Sequence, residues 1–104
     1  MLEYNVIINK DKRECLHPHK LGMGMELKKI CKSQSCGVIA YLLATRWSGD
    51  RIAIVGDSTA VYFEARGGRQ AMNGEIPYKD ISLEAREEFE KFTGAKLPKR
   101  WDAY

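Results

Sequence analysis

Two Gly-Asp pairs, Gly49-Asp50 and Gly56-Asp57, bracket the apolar run IAIV within RWSGDRIAIVGDS, and they constrain the fold more than any other feature of the chain. Glycine permits positive φ and aspartate bonds nearby backbone amides, so each pair reads as a turn. Ile52, Ile54 and Val55 are strand formers, and the spacing predicts a strand over residues 51–55 between two reversals. As the most apolar strand it is expected at the centre of a sheet, paired through the GDST turn with residues 61–64, VYFE, as a hairpin. A lone hairpin is only marginally stable in water, so further strands must share its apolar face.

The N-terminal YNVIIN, residues 4–9, supplies one: it alternates weakly and is β-branched in its middle. NKDKR is a polar turn, ECL returns as the second strand of a hairpin, and Pro18 stops it because proline cannot donate to a ladder. In KLGMGMELKKICKS, Met23, Leu27, Ile30 and Cys31 fall on one face of a helix, with Gly22 and Gly24 blurring its start. Ser35 is a candidate N-cap for a second helix, CGVIAYLLATRW, apolar nearly all round and so expected at the middle of the core. Residues 65–80 read as a long glycine-containing loop with room for a short extra strand at its end. Ser82 is placed to cap a last helix, Glu84, Glu87 and Glu88 suit its positive end, and Gly94 suits its C′ position. Ala85, Phe89 and Phe92 form its expected buried stripe. The order ββααββα predicts an α+β fold: a small antiparallel sheet with helices on one face.

At 104 residues the chain fits a single domain, 1–104. Its net charge is +3, with cations scattered at Lys10, Lys12, Arg13, Lys28, Lys29, Lys32, Arg66, Arg69, Lys96, Lys99 and Arg100. Such dispersal argues against a dedicated nucleic-acid binder, which presents a basic stripe. The longest apolar run, residues 38–44, is about a third of what a bilayer requires, and the N-terminus has no signal-peptide pattern, so a cytoplasmic location is expected. An odd count of three cysteines does not suggest a disulfide framework.

The reactive constellations are incomplete. Cys15, His17, His19, Cys31 and Cys36 are five candidate soft or borderline metal ligands, but there is no paired-cysteine knuckle and Cys31 falls on an apolar stripe, so no metal site and no cofactor are assigned. Cys36, near a predicted helix N-terminus, could be an activated thiol with His17 or His19 as base, yet nothing in the spacing joins them. Ser58 has Gly56 two residues before it but Ala60 two after, so it is not a nucleophile elbow. Gly22-Met23-Gly24 lacks the partners of a phosphate-binding loop. Turn chemistry accounts for the glycines and aspartates of RWSGDRIAIVGDS but not for Arg46, Trp47 and Arg51. Trp and Arg are the residues enriched at binding hot spots.

INKDKRECLHPHKLGMGMEL and TRWSGDRIAIVGDS, with YKDIS near the end, resemble a family of small uncharacterised bacterial proteins. That family opens with Asn-x-x-Lys-x-Glu running into Pro-His-x-x-Gly-x-Gly and later carries Arg-Trp-Ala-Gly-Asp-Arg before a strand ending in Gly-Asp-Tyr. The matched positions are Asn9, Lys12, Glu14, Pro18, His19, Gly22 and Gly24, then Arg46, Trp47, Gly49, Asp50, Arg51, Gly56 and Asp57, about half the chain. Ser58 departs from the family's Tyr, and a glycine-rich insertion before Arg-Trp is missing. The resemblance marks residues and implies no particular chemistry.

Without a complete catalytic set, the residues point to a non-catalytic module that binds a protein partner as inhibitor or modulator, using a rim of Arg46, Trp47, Asp50, Arg51, Asp57 and His19, with Trp101 and Tyr104 as an aromatic tail. Small bacterial and phage proteins of this size often act by blocking a larger partner, which is analogy only. The alternative is a small enzyme or ligand-binding domain in which His19, Asp50 and Asp57 converge with Arg46 and Arg51; a zinc-binding or nucleic-acid-binding domain is a further one. Either way the two matched blocks are expected to meet, with His19 beside Asp50 or Asp57 and its pKa raised by that carboxylate.

Overall fold

A computed structural model describes residues 4–65 and 78–99, with the side chains of residues 63 and 64 outside that description. Strands β1 (Asn5–Asn9) and β2 (Glu14–Leu16) form the N-terminal hairpin, and a 3-10 turn (Pro18–Leu21) follows. Helices α1 (Leu27–Lys32) and α2 (Cys36–Ala44) lead to strand β3 (Ile52–Gly56). Helix α3 (Ala60–Ala65), strand β4 (Lys79–Asp80) and helix α4 (Ser82–Thr93) complete an α+β fold. Trp101, Tyr104, Arg66, Arg69 and Arg100 lie outside the described residues.

The sheet runs β3-β1-β2-β4. The β1–β2 and β1–β3 pairs are antiparallel and β2–β4 is parallel, so the sheet is mixed rather than antiparallel throughout. Its interior positions belong to β1, buried at all five residues, and to β2, whereas β3 is an edge strand among the described residues. A strand covered on both faces shows a continuous apolar run instead of clean alternation, which is why NVIIN looked the less constrained of the two.

Residues 61–64 are helical. Thr59 is the N-cap: its Oγ1 accepts the Tyr62 N–H at 3.4 Å, and its hydroxyl donates to the Gly56 carbonyl at 2.8 Å. With Ala60 and Ala65 as good helix formers, that cap overrides the strand preference of Val61 and Tyr62. The consequence is a helix on each side of the sheet. Ile7 and Leu16 point to the face covered by α2, α4, Ile30 of α1 and Trp47. Val6, Ile8 and Cys15 point to the other, under Tyr62 and Ala65 of α3.

Helix α2 does not fill the core. Only Val38 and Leu42 of it are buried, because it lies across one face of the sheet and turns its other sides outward. Ser35 makes no cap bond; its hydroxyl is buried and donates to the Leu21 carbonyl at 2.6 Å. Helix α1 is too short for its expected stripe: Ile30 is buried, while Leu27 and Cys31 are exposed. In α4, Asp80 serves as the start signal, its Oδ1 accepting the Ser82 N–H at 2.9 Å. Gly94 terminates the helix in the left-handed region at φ 73°. Gly37 lets α2 and α4 approach closely, since a Cβ there would meet the Phe89 ring at 2.9 Å. No helix among the described residues is long and apolar enough to cross a membrane.

Candidate functional site

The hairpin β1–β2 and the connector between α2 and β3 meet, through residues other than His19. Asn9 is the first organiser. Its Oδ1 accepts the backbone N–H groups of Asp11 (2.9 Å) and Lys12 (2.8 Å), closing the turn, while its Nδ2 donates to Asp50 Oδ2 at 2.8 Å. Lys12 pairs with the same carboxylate. These two bonds hold the Asp50 carboxyl below the usual carboxylate range, Lys12 contributing more than Asn9. Asp11 accepts the Arg51 backbone N–H at 2.6 Å and its guanidinium at 2.9 Å, which lowers the Asp11 carboxyl as well.

Glu14 is the second organiser. It sits on the β2 side that faces the α2–α4 core, and its Oε1 accepts the Trp47 indole N–H at 2.8 Å and the Arg46 Nε–H at 3.2 Å. Arg46 Nη2 reaches the other carboxylate oxygen, completing a two-pronged pair, and Arg46 Nη1 approaches Glu84 at 3.5 Å. The Trp47 side chain is 0% exposed and belongs to the core cluster. An indole with its one polar atom satisfied internally cannot anchor a partner, so the expected rim is corrected: Trp47 is core, and Arg46 is its charged lid. In the sequence Glu14 and Asn9 stand out only through the family resemblance; their signal is a pair of polar residues, facing each other across the strands, where an otherwise apolar hairpin enters and leaves its turn.

The convergence of His19, Asp50 and Asp57 does not form. Asp50 precedes β3 and Asp57 follows it, roughly 20 Å apart on an extended strand at about 3.3 Å per residue. Asp57 closes the far end of β3, its N–H donating to the Tyr4 carbonyl at 2.9 Å. His19 is buried in the 3-10 turn beyond the Leu16 end of β2, whereas Asp50 sits at the Glu14 end, against Lys12. Its ring neighbour is His17, centroid to centroid 5.8 Å.

Cys15 and His17, two apart on one side of β2, lie together with Cys15 Sγ 3.3 Å from His17 Nε2. Burial first, and the nearby Asp80 carboxylate second, push the Cys15 thiol up to about 12. That is the reverse of what a thiolate nucleophile needs. Burial raises the Cys36 thiol too, so neither fits the activated-thiol reading.

An apolar surface lies on the opposite side of the molecule's main core from β1 and β2. Ala40, Leu43 and Ala44 of α2 are exposed, three and four residues apart and therefore contiguous. Tyr41 extends the surface towards α4, its ring 5.2 Å from that of Phe92 and 6.2 Å from that of Phe89. Phe92 is 74% exposed and Leu43 46%. The expected burial of Phe92 is thereby corrected: the helix rotates Ala85 and Phe89 inward and leaves Phe92 at the edge. Glu84 and Glu88 continue the Phe92 row along α4 at four-residue intervals, both exposed. Comparison with protein-family models, with curated proteins and with solved structures finds no match.

Proposed function

We propose that this chain is a non-catalytic protein-binding module, modulating a larger partner through the α2–α4 face. The observation that supports this is a helix apolar on nearly every side that buries only Val38 and Leu42. Its outward residues join a 74% exposed phenylalanine in one apolar strip. Contiguous exposed apolar patches with a charged border are the mark of interaction surfaces, and aromatic residues dominate binding hot spots. The border here is acidic, through Glu84 and Glu88, while residues 36–45 carry no charge. The complementary partner is an amphipathic helix with an apolar stripe flanked by lysine or arginine.

A defined probe tests this: an amphipathic helical peptide with a leucine stripe and lysine flanks, titrated into the labelled chain and followed by amide chemical shifts. The expected result is saturable shifts confined to α2 and α4. Phe92→Glu should weaken binding at least about 30-fold, as for a hot-spot residue worth about 2 kcal/mol. An equally apolar peptide with glutamate flanks should bind far less. Shifts mapped elsewhere, or equal binding by Phe92→Glu and Leu43→Glu, would overturn the proposal. So would sedimentation showing the chain dimerising through this same face.

A further inference from the structure

Four potential donor atoms converge on the α3 side of the sheet, away from the α2–α4 face. Cys15 and His17 project from the same side of β2 because they are two residues apart. Asp80 is the register partner of Cys15 in the parallel β2–β4 pair, which places it beside that thiol. One ligand atom each of Cys15, His17 and Asp80 lies within 4.8 Å of the others. The Ala65 carbonyl closes the group from the end of α3, 2.9 Å from His17 Nε2 and 3.4 Å from Cys15 Sγ.

We propose that Cys15, His17, Asp80 and the Ala65 carbonyl form a binding site for a single zinc-like divalent cation. Zinc takes sulfur at about 2.3 Å and nitrogen or oxygen at about 2.0–2.2 Å in a tetrahedron, so its ligand atoms sit roughly 3.3–3.6 Å apart. The separations of 3.3 Å between Sγ and Nε2 and 3.4 Å between Sγ and the carbonyl oxygen already have that size. For the metal to seat, the 2.9 Å separation of His17 Nε2 and the carbonyl oxygen opens by about half an ångström as their hydrogen bond gives way, and the Asp80 carboxylate draws in. It is held for the purpose: Lys20 pairs with Oδ2, and the Ser82 N–H and hydroxyl donate to Oδ1. Such outer bonds orient a ligating carboxylate. Ser82 also ties in the His17 backbone, accepting its N–H at 2.7 Å. Cysteine and histidine suit zinc in preference to magnesium or calcium, which take oxygen ligands. On binding, the Cys15 S–H proton leaves to solvent and the imidazole proton moves from Nε2 to Nδ1, freeing the Nε2 lone pair for the metal. Cys31 is exposed on α1 and Cys36 begins α2, so neither belongs to the group.

The test uses the full chain, purified without a metal-affinity tag and stripped with chelator, titrated with cobalt(II) and then with zinc. The expected result is a thiolate-to-cobalt charge-transfer band saturating at one ion per chain and bleached by zinc. It should be absent in Cys15→Ser, unchanged in Cys31→Ser with Cys36→Ser, and weakened at least about tenfold in affinity in Asp80→Asn. Should Cys15→Ser not fold, zinc-induced amide shifts in the wild type provide the second readout, expected at Cys15, His17, Ala65 and Asp80. A wild-type chain without the band, a band surviving in Cys15→Ser, or shifts centred on Cys31 and Cys36 would overturn the site.

Discussion

Glu14 holds together the hairpin and the connector that carries Trp47, so its removal should be costly. In Glu14→Ala the buried Trp47 indole N–H loses the carboxylate oxygen that accepts it at 2.8 Å. An orphaned buried donor costs about 1–3 kcal/mol. Arg46 loses its two-pronged partner but is 30% exposed and can turn to water or to Glu84, so that loss adds at most about 1 kcal/mol. The expected total is about 3 kcal/mol. Across 104 residues, at about 2.1 cal/mol/K per residue, each kcal/mol lowers Tm by roughly 4–5 °C, so the melting point should fall by more than about 10 °C. Trp47→Phe deletes the donor and, with it, the pyrrole part of a fully buried indole, so a cavity adds to the lost bond and the cost should be about 2 kcal/mol. Urea unfolding followed by far-UV circular dichroism on both single variants and the double one gives the coupling, expected at about 1–2 kcal/mol. A loss under about 0.5 kcal/mol in Glu14→Ala, or strictly additive single effects, would show that Trp47 is held by apolar packing alone and refute this account.

Acid should weaken the fold through three aspartates. Asp11 is lowered by Arg51 and Asp50 by Lys12; burial alone would raise Asp80, but Lys20 and Ser82 outweigh it and lower it too. Depressed carboxyls contribute stability that is present above about pH 4 and lost as pH falls through their folded values, so urea midpoints should hold above pH 4 and drop below it, less steeply in Asp80→Asn. The Cys15 thiol acts in the opposite sense: raised to about 12 from 9.0, it contributes stability below pH 9 that is lost as pH climbs towards 12. In the metal-free chain at about pH 8, iodoacetamide should label exposed Cys31 well before Cys15, and mass mapping of the alkylated peptides checks the order. Gly22 has φ 80°, and a Cβ there would sit 2.6 Å from the Pro98 carbonyl oxygen, so Gly22→Ala should cost at least about 1 kcal/mol in urea unfolding; an unchanged midpoint would mean that the 98–99 segment gives way freely.

Local chemistry was readable wherever a residue's neighbours in sequence are also its partners in space. The β1–β2 hairpin, the strand between the two Gly-Asp pairs, α2, and α4 with Gly94 at its end all follow from turn residues and periodicity, and the α+β class follows from their order. The meeting of hairpin and connector was also foreseeable, since neither can bury its apolar side alone. Three-dimensional packing decided the rest. Thr59 made a helix of VYFE because one cap bond outweighs the weak strand preference of so short a run. That helix covered the second face, and β1 rather than β3 took an interior place in the sheet. Trp47 went inward because Glu14, thirty-three residues earlier, supplies a partner for its N–H. No pattern within RWSGDR shows that distant carboxylate. Leu43 and Phe92 stayed outside for the converse reason: helical periodicity tells which residues share a side, but only the placement of α2 against β1 and α4 decides which side meets water.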